Sequence, residues 1–267
     1  SERTGELLSK ATLYSTLMAL KKFFCWLAGQ SGYRSKLTYA DADYFSLPEK
    51  DVRVARATRE RQPPTPEQIL RTLRSMPSGT EIEQRDRALV AFIYLTGVRD
   101  GAAISLKLRH IDVDAECVDQ DARVVKTKFS KTFTSFFFPV GDEIRQIAVD
   151  WVRYLLNVKH WGLDDPLFPA TKVEIGPNHQ FCVVGLDRKH WRTTASVREI
   201  FKSAFARAGL PYFNPHSLRN TLAIMAGKVC KTPEEYKIWS QNLGHEKPIT
   251  TLLNYGHVPM ERQREVL

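Results

Sequence analysis

Nowhere in this 267-residue chain does an apolar run approach the roughly 20 residues that a membrane-spanning helix needs, and the opening SERTGELLSK lacks the apolar core of a secretory signal. Those absences set the expectation of a cytoplasmic protein. Cysteine is scarce: Cys25, Cys117, Cys182 and Cys230 stand singly, with no CxxC pair and no chelating spacing. Neither a disulfide framework nor a zinc site is expected, only reduced and mostly buried thiols. No repeat or low-complexity tract interrupts the chain. It also begins without Met, in a polar lead into a helix, which reads as the start of a truncated N-terminal domain.

What is present points to a folded chain with a polyanionic partner. Apolar residues make up 43% of the sequence, with five Trp and fourteen Phe, enough for a core and for two domains. The 39 basic residues outnumber 30 acidic ones, a net charge of +9 that favours nucleic acid without proving it.

Periodicity organises the chain. Leu13, Leu17, Leu20, Phe24 and Leu27 recur at three and four, the stripe of an amphipathic helix. Lys21 and Lys22 flank that stripe, either solvated or set against phosphates. A short helix is expected before LPEK. Residues 53–64 carry Arg53, Arg56, Arg59 and Arg61, lack aromatics and end in Pro63 and Pro64, a linker composition that also suits a clamp around DNA. The expected domains are therefore 1–52 and 65–267.

The second domain opens with Thr65, Pro66 and Gln68 in the order of a capping box. A helix from Ile82 should stop at Gly97, which accepts a left-handed exit. Residues 101–109 read as another helix, and 117–140 as strand, turn, strand, with Val124 and Val125 in the first strand. Helices are expected near 142–157, 194–208, 217–228 and 233–242, and an irregular loop with a small hairpin over 171–192. The fold class is thus mainly α with a small antiparallel β-sheet. Trp151, Trp161 and Trp239 read as core. Trp191, between Lys189, His190 and Arg192, either packs inside or meets phosphates.

Four segments belong together chemically: TGVRD with Arg99, KFSKT with Lys131, PHSLRN with His216 and Arg219, and NLGHEKPITTLLNYGH with His245 and Tyr255. Each alone has a structural explanation, such as a cap, a solvated turn or a packed ring. As a set they supply what breaking a DNA phosphodiester requires. Two guanidinium forks hold nonbridging oxygens and stabilise developing charge. A tyrosine hydroxyl attacks, given a base or a field to lower its pKa. A lysine protonates the departing sugar oxygen, and imidazoles move protons or donate to phosphate. No Asp and Glu cluster spaced for Mg²⁺ accompanies them, so no metal or cofactor is expected.

Arg, Lys, His-x-x-Arg, Leu-Gly-His and Tyr in that order resemble the tyrosine recombinases, the phage integrase family, over essentially the whole chain. The resemblance implies a helical core-binding domain followed by a mixed α/β catalytic domain. It makes Tyr255 the nucleophile and Arg99, Arg219 and His245 the phosphate contacts, with His216 a base or a further phosphate contact. Lys131, followed by Thr132 and set at the family's spacing before Pro139, is the general acid; Lys128 stands three residues too early. Lys126 and Lys128 then join Lys21, Lys22, Arg53, Arg56, Arg59, Lys189 and Arg192 as DNA-backbone contacts.

Three departures accompany the match. The acidic residue that relatives often carry three places after the first arginine is replaced by Ala102, with Asp100 nearby. His245 and Tyr255 lie ten apart, one more than the common spacing, and only twelve residues follow Tyr255.

The implied reaction is site-specific recombination through a 3′-phosphotyrosine and a Holliday junction, by a homo-tetramer on double-stranded DNA sites. Accessory DNA-bending or directionality proteins are possible partners. A type IB topoisomerase-like nicking and closing enzyme is the nearest rival, and a catalytically silent DNA-binding protein on the same scaffold is the rival of another class.

Overall fold

The computed structural model describes residues 8–57, 62–176, 178–245 and 264. Its chain divides into two compact units, Ser1–Gln62 and Pro63–Leu267. Arg59 and Tyr255 lie outside the described residues.

In the first unit, Ser9 caps helix α1 (Lys10–Ala28) by accepting the Thr12 amide on its hydroxyl at 3.2 Å. Leu13, Leu17, Phe24 and Leu27 of the stripe are half-buried and Leu20 is exposed, and Phe24 stacks on Phe45 with ring centres 4.7 Å apart. Helix α2 (Glu49–Arg56) closes the unit through Lys10 on Asp51 and through Arg56, which lies over the Tyr14 ring and donates to its hydroxyl. The expected linker is therefore helical over residues 53–56. Its local charges explain why: Glu49 and Asp51 sit at the helix start and Arg53 and Arg56 at its end, each favourable to the dipole.

The second unit is built around one buried helix. Helix α3 (Pro66–Ser75) begins in the capping box expected of Thr65 and Gln68, and α4 (Glu81–Thr96) begins in a second one from Thr80 and Glu83. Every residue from Ala88 to Val98 except Gly97 is an apolar or threonine side chain sealed from water, so α4 forms the centre of the core. Gly97 ends it in the left-handed region at φ 63°. A Cβ there would sit 2.9 Å from Leu243 Cδ2 and 3.1 Å from Phe138 Cε2, so glycine also permits the packing.

Beyond Gly97 the expected helix over 101–109 shrinks to α5 (Asp100–Ala103). The reason is competition for backbone groups. The Ser105 hydroxyl donates to the Ala102 carbonyl, and the main chain at Leu106 and Leu108 pairs with Leu167 and Asp165 instead of continuing the helix.

Strands β1 (Ile111–Asp112), β2 (Cys117–Gln120) and β3 (Phe133–Phe136) make an antiparallel sheet in that order, so β3 is an edge. Val124 and Val125 are in a turn rather than a strand, because the Asp121 side chain and carbonyl collect the amides of Arg123, Val124 and Val125. Helix α6 (Asp142–Arg153), extended by a wider turn over Tyr154–Val158, packs on α4. An irregular loop with a small hairpin was expected over 171–192; strands β4 (Pro169–Ile175) and β5 (Phe181–His190) instead pair along their length in a two-stranded ribbon, with register shifts at Pro169/Ala170 and Lys172/Val173. Its base is fixed to α4: Glu81 accepts the Leu186 amide, and Arg85 donates to the Pro169 carbonyl and the Thr171 hydroxyl, both at 3.0 Å.

Helices α7 (Ala195–Arg207), α8 (Pro215–Val229) and α9 (Pro233–Asn242) complete the layer around α4. Trp151, Trp161 and Trp239 are buried as expected, and Trp191 joins them at 8% exposure beneath the Arg85 guanidinium, 4.8 Å from its ring centre. The thiols correct the expectation of burial. Cys25, Cys117 and Cys230 are half-buried and Cys182 is exposed, all unbridged.

Candidate active site

The chain delivers the motif residues from the ends of elements. Asn214 caps α8 by accepting the Ser217 amide, and Pro215 occupies its first turn, so His216 emerges at the helix start and Arg219 one turn on. Arg219 is 2% exposed, a charge buried among the second unit's helices. Its Nη2 donates to the Leu243 carbonyl at 2.5 Å. That bond ties the start of α8 to the turn after α9, whose next residues are Gly244 and His245.

The turn is tightly constrained. Gly244 has φ 69°, and a Cβ on it would meet the Phe133 ring at 2.6 Å. The His245 amide donates to the Ser240 carbonyl, which holds the residue against the end of α9 with its side chain buried. Arg99 stands in extended conformation at the cap of α5, two residues beyond the left-handed Gly97. Lys131 follows the Lys128–Ser130 turn, in which Phe129 and Ser130 both take positive φ, and leads into β3. Lys128 and Lys131 place their Nζ atoms 4.9 and 5.9 Å from the centre of the Phe129 ring.

Electrostatics reveals which of these groups converge. His245 is held down to about 4 by burial, then by the charges of Arg219 and Arg99, then by His216 and Lys131. His216 is likewise lowered to about 4 by burial, Arg219, Arg99 and Lys128, with Asp100 opposing. The His216 residue keeps an open face to water, so its cationic neighbours are the firmer cause of that direction. Arg99, Lys131, His216 and Arg219 thus all lie within electrostatic reach of His245. At neutral pH the pocket holds three cations and two neutral imidazoles, a receptor for an anion. Ala102 is buried and brings no carboxylate, whereas Asp100 is near enough to His216 to oppose the cations.

The expected backbone contacts are scattered. Lys21 pairs with Asp43 at 2.6 Å, Arg53 with Glu49, Arg56 with Tyr14 and Lys189 with Asp187. Lys22, Lys126, Lys128 and Arg192 are exposed. Of the expected contacts, Lys128 stands on the turn that leads into β3, three residues before the candidate acid Lys131.

A profile of the phage integrase family matches residues 64–262, which contain all of the motif segments. The chain belongs to this family. Two curated tyrosine recombinases resemble this integrase-family chain at the sequence level. XerD of Neisseria meningitidis serogroup B is 26% identical over 230 residues, 80% of this chain and 68% of that protein. XerC of Mycobacterium leprae is 25% identical over 264 residues, 97% of this chain and 76% of that one. Among solved structures, XerH recombinase bound to palindromic difH in a post-cleavage complex aligns with TM-score 0.63 and 17% identity, covering 97% of this chain and 67% of that one. XerA recombinase aligns with TM-score 0.56 and 17% identity, covering 94% and 81%. These two likenesses show that the integrase fold extends over nearly all of the chain.

Sequence reasoning missed Asn242 and Gly244. Neither carries a charge or a nucleophile, and the signal that marks them is their place in the Asn-Leu-Gly-His segment. No helix among the described residues is long and apolar enough to cross a membrane.

Proposed function

We propose that this chain is a site-specific DNA recombinase that cuts and rejoins strands through a 3′-phosphotyrosine on Tyr255 and a Holliday junction. The observation that carries the reading is the gathering of Arg99, Arg219 and Lys131 around two imidazoles held near 4. Such a pocket is costly to maintain unless an anion fills it.

In this reading a scissile phosphate enters with its nonbridging oxygens toward Arg99, Arg219 and His245. Tyr255 Oη attacks phosphorus, the P–O5′ bond breaks, and Lys131 gives its proton to the leaving O5′. The phenolic proton passes to a base at the site or to water. The 5′-hydroxyl of a partner strand then attacks the phosphotyrosine, returning the proton to lysine and releasing Tyr255. Bond energy is conserved at each exchange, so the cycle needs no external energy source. With a pKa near 4, His216 is a weak base until the phosphate charge arrives, so it acts first as a neutral hydrogen-bond donor to a nonbridging oxygen. Four copies on two double-stranded sites would perform the sequential exchanges.

A nicked suicide duplex, which loses the short strand after cleavage, tests the chemistry. The expected result is a covalent protein–DNA adduct, together with strand exchange between two labelled duplexes. Relaxation of supercoils with no exchange would make the chain a nicking and closing enzyme, and binding without any adduct would make it a silent DNA-binding protein.

A further inference from the structure

We infer that Asn242 is a positioning residue for Lys131, an inference that rests on the proposed role of that lysine as the general acid. Strand β3 is the edge of its sheet, so one row of its backbone groups has no strand partner. Asn242, the last residue of α9, supplies one. The Phe136 amide donates to Asn242 Oδ1 at 2.6 Å, and Asn242 Nδ2 donates to the Phe136 carbonyl at 2.9 Å. A carboxamide presents one donor and one acceptor side by side, so it imitates a peptide unit of a further strand. The main chain of Asn242 adds a third link: its carbonyl accepts from the Ser135 hydroxyl at 3.2 Å, and that hydroxyl accepts in turn from Gln120 on β2 at 2.8 Å.

These bonds fix β3 in register with the turn that holds Arg219 and His245. Leu243, the residue after Asn242, gives its carbonyl to Arg219, and Gly244 lies under the Phe133 ring. Lys131 precedes Phe133 by two residues, about 7 Å of extended chain at strand spacing. The β3 strand is therefore held at Phe133 by ring packing and at Phe136 by the carboxamide, and Lys131 is carried at its near end. Loosening the Phe136 end frees the hairpin to move relative to the phosphate-binding arginine, and proton delivery to the leaving oxygen requires that placement.

Asn242→Leu keeps the branched heavy-atom skeleton and removes both side-chain bonds. Its adduct formation should be compared on two suicide duplexes, one with the ordinary phosphodiester and one with sulfur in place of the bridging 5′ oxygen. A thiolate leaves without help from an acid, so a misplaced Lys131 slows only the oxygen substrate. The expected result is a loss of about tenfold or more on oxygen and near-unmodified rates on sulfur. Lys131→Ala should show the same pattern more strongly, and Arg219→Ala should be slow on both.

Equal slowing of Asn242→Leu on both substrates, beside a rescued Lys131→Ala, would overturn the positioning role alone and leave a structural one. Lys131→Ala that sulfur fails to rescue would overturn the assignment of the acid itself, and the role of Asn242 with it. Should Asn242→Leu not fold, as judged by its thermal melt, Asn242→Asp provides the same comparison. It keeps the acceptor for the Phe136 amide but sets a carboxylate against the Phe136 carbonyl, so it too should show a loss confined to the oxygen substrate.

Discussion

Arg219 donates to the Leu243 carbonyl from a site almost sealed from water, and so the charge at the heart of the pocket also fastens the turn that carries His245. Arg219→Ala removes both functions. Adduct formation should fall by about 10²-fold or more through lost stabilisation of developing charge, while duplex binding persists through the other phosphate contacts. The orphaned carbonyl should also lower stability by about 1–3 kcal/mol. Adduct yield, a binding titration and a thermal melt on the one variant separate these effects.

Gly244 and Gly227 predict opposite signs for the same substitution. Gly244→Ala adds a methyl 2.6 Å from the Phe133 ring at φ 69° and should destabilise the protein by about 2 kcal/mol or more. Gly227 lies inside α8 with open space around its missing Cβ, so Gly227→Ala should be neutral or stabilising by up to about 1 kcal/mol. Thermal melts of the two variants decide it.

Protonation of the pocket sets a direction for stability against pH. His216 and His245 have folded pKa values near 4, below the ordinary 6.5. Between those values the unfolded chain binds more protons, so stability rises with pH from about 4 to about 6.5 and then levels. His110 and His190 are shifted in the same direction, chiefly by burial, and contribute with the same sign. Denaturant midpoints measured across this range should flatten in part when His216 and His245 are replaced by Gln. An anion filling the pocket opposes the cations, so DNA binding should take up protons near pH 5.

Trp191 and its neighbours distinguish core from contact. Trp191→Ala should cost about 3–5 kcal/mol, as for other buried Trp side chains, and leave the salt dependence of DNA binding unchanged. Lys126→Ala and Lys128→Ala should instead lower the slope of log affinity against log salt by about one each if each lysine meets a phosphate. Salt titrations of the three variants give the comparison.

Much of this fold was legible because its signals are local. Thr65 with Gln68, and Gly97 at a helix end, are chemistry written within four residues, and the structure realises both. Elements decided by distant partners were not. Residues 101–109 are helical in pattern, but the segment around Leu167 claims their backbone, and the ribbon at 169–190 depends on Glu81 and Arg85 far upstream. Lys131 could be nominated from its motif, while Asn242 could not, because a neutral carboxamide draws notice only once it is seen at the edge of β3.

In the proposed reaction the pocket of Arg99, Lys131, His216, Arg219 and His245 directs Tyr255 at a phosphodiester. Its most direct test is peptide mapping by mass spectrometry of the adduct trapped on a suicide duplex. A nucleotide 3′-phosphate esterified to Tyr255 is expected, with no adduct from Tyr255→Phe. An adduct on any other residue, or undiminished adduct from Tyr255→Phe, would contradict it.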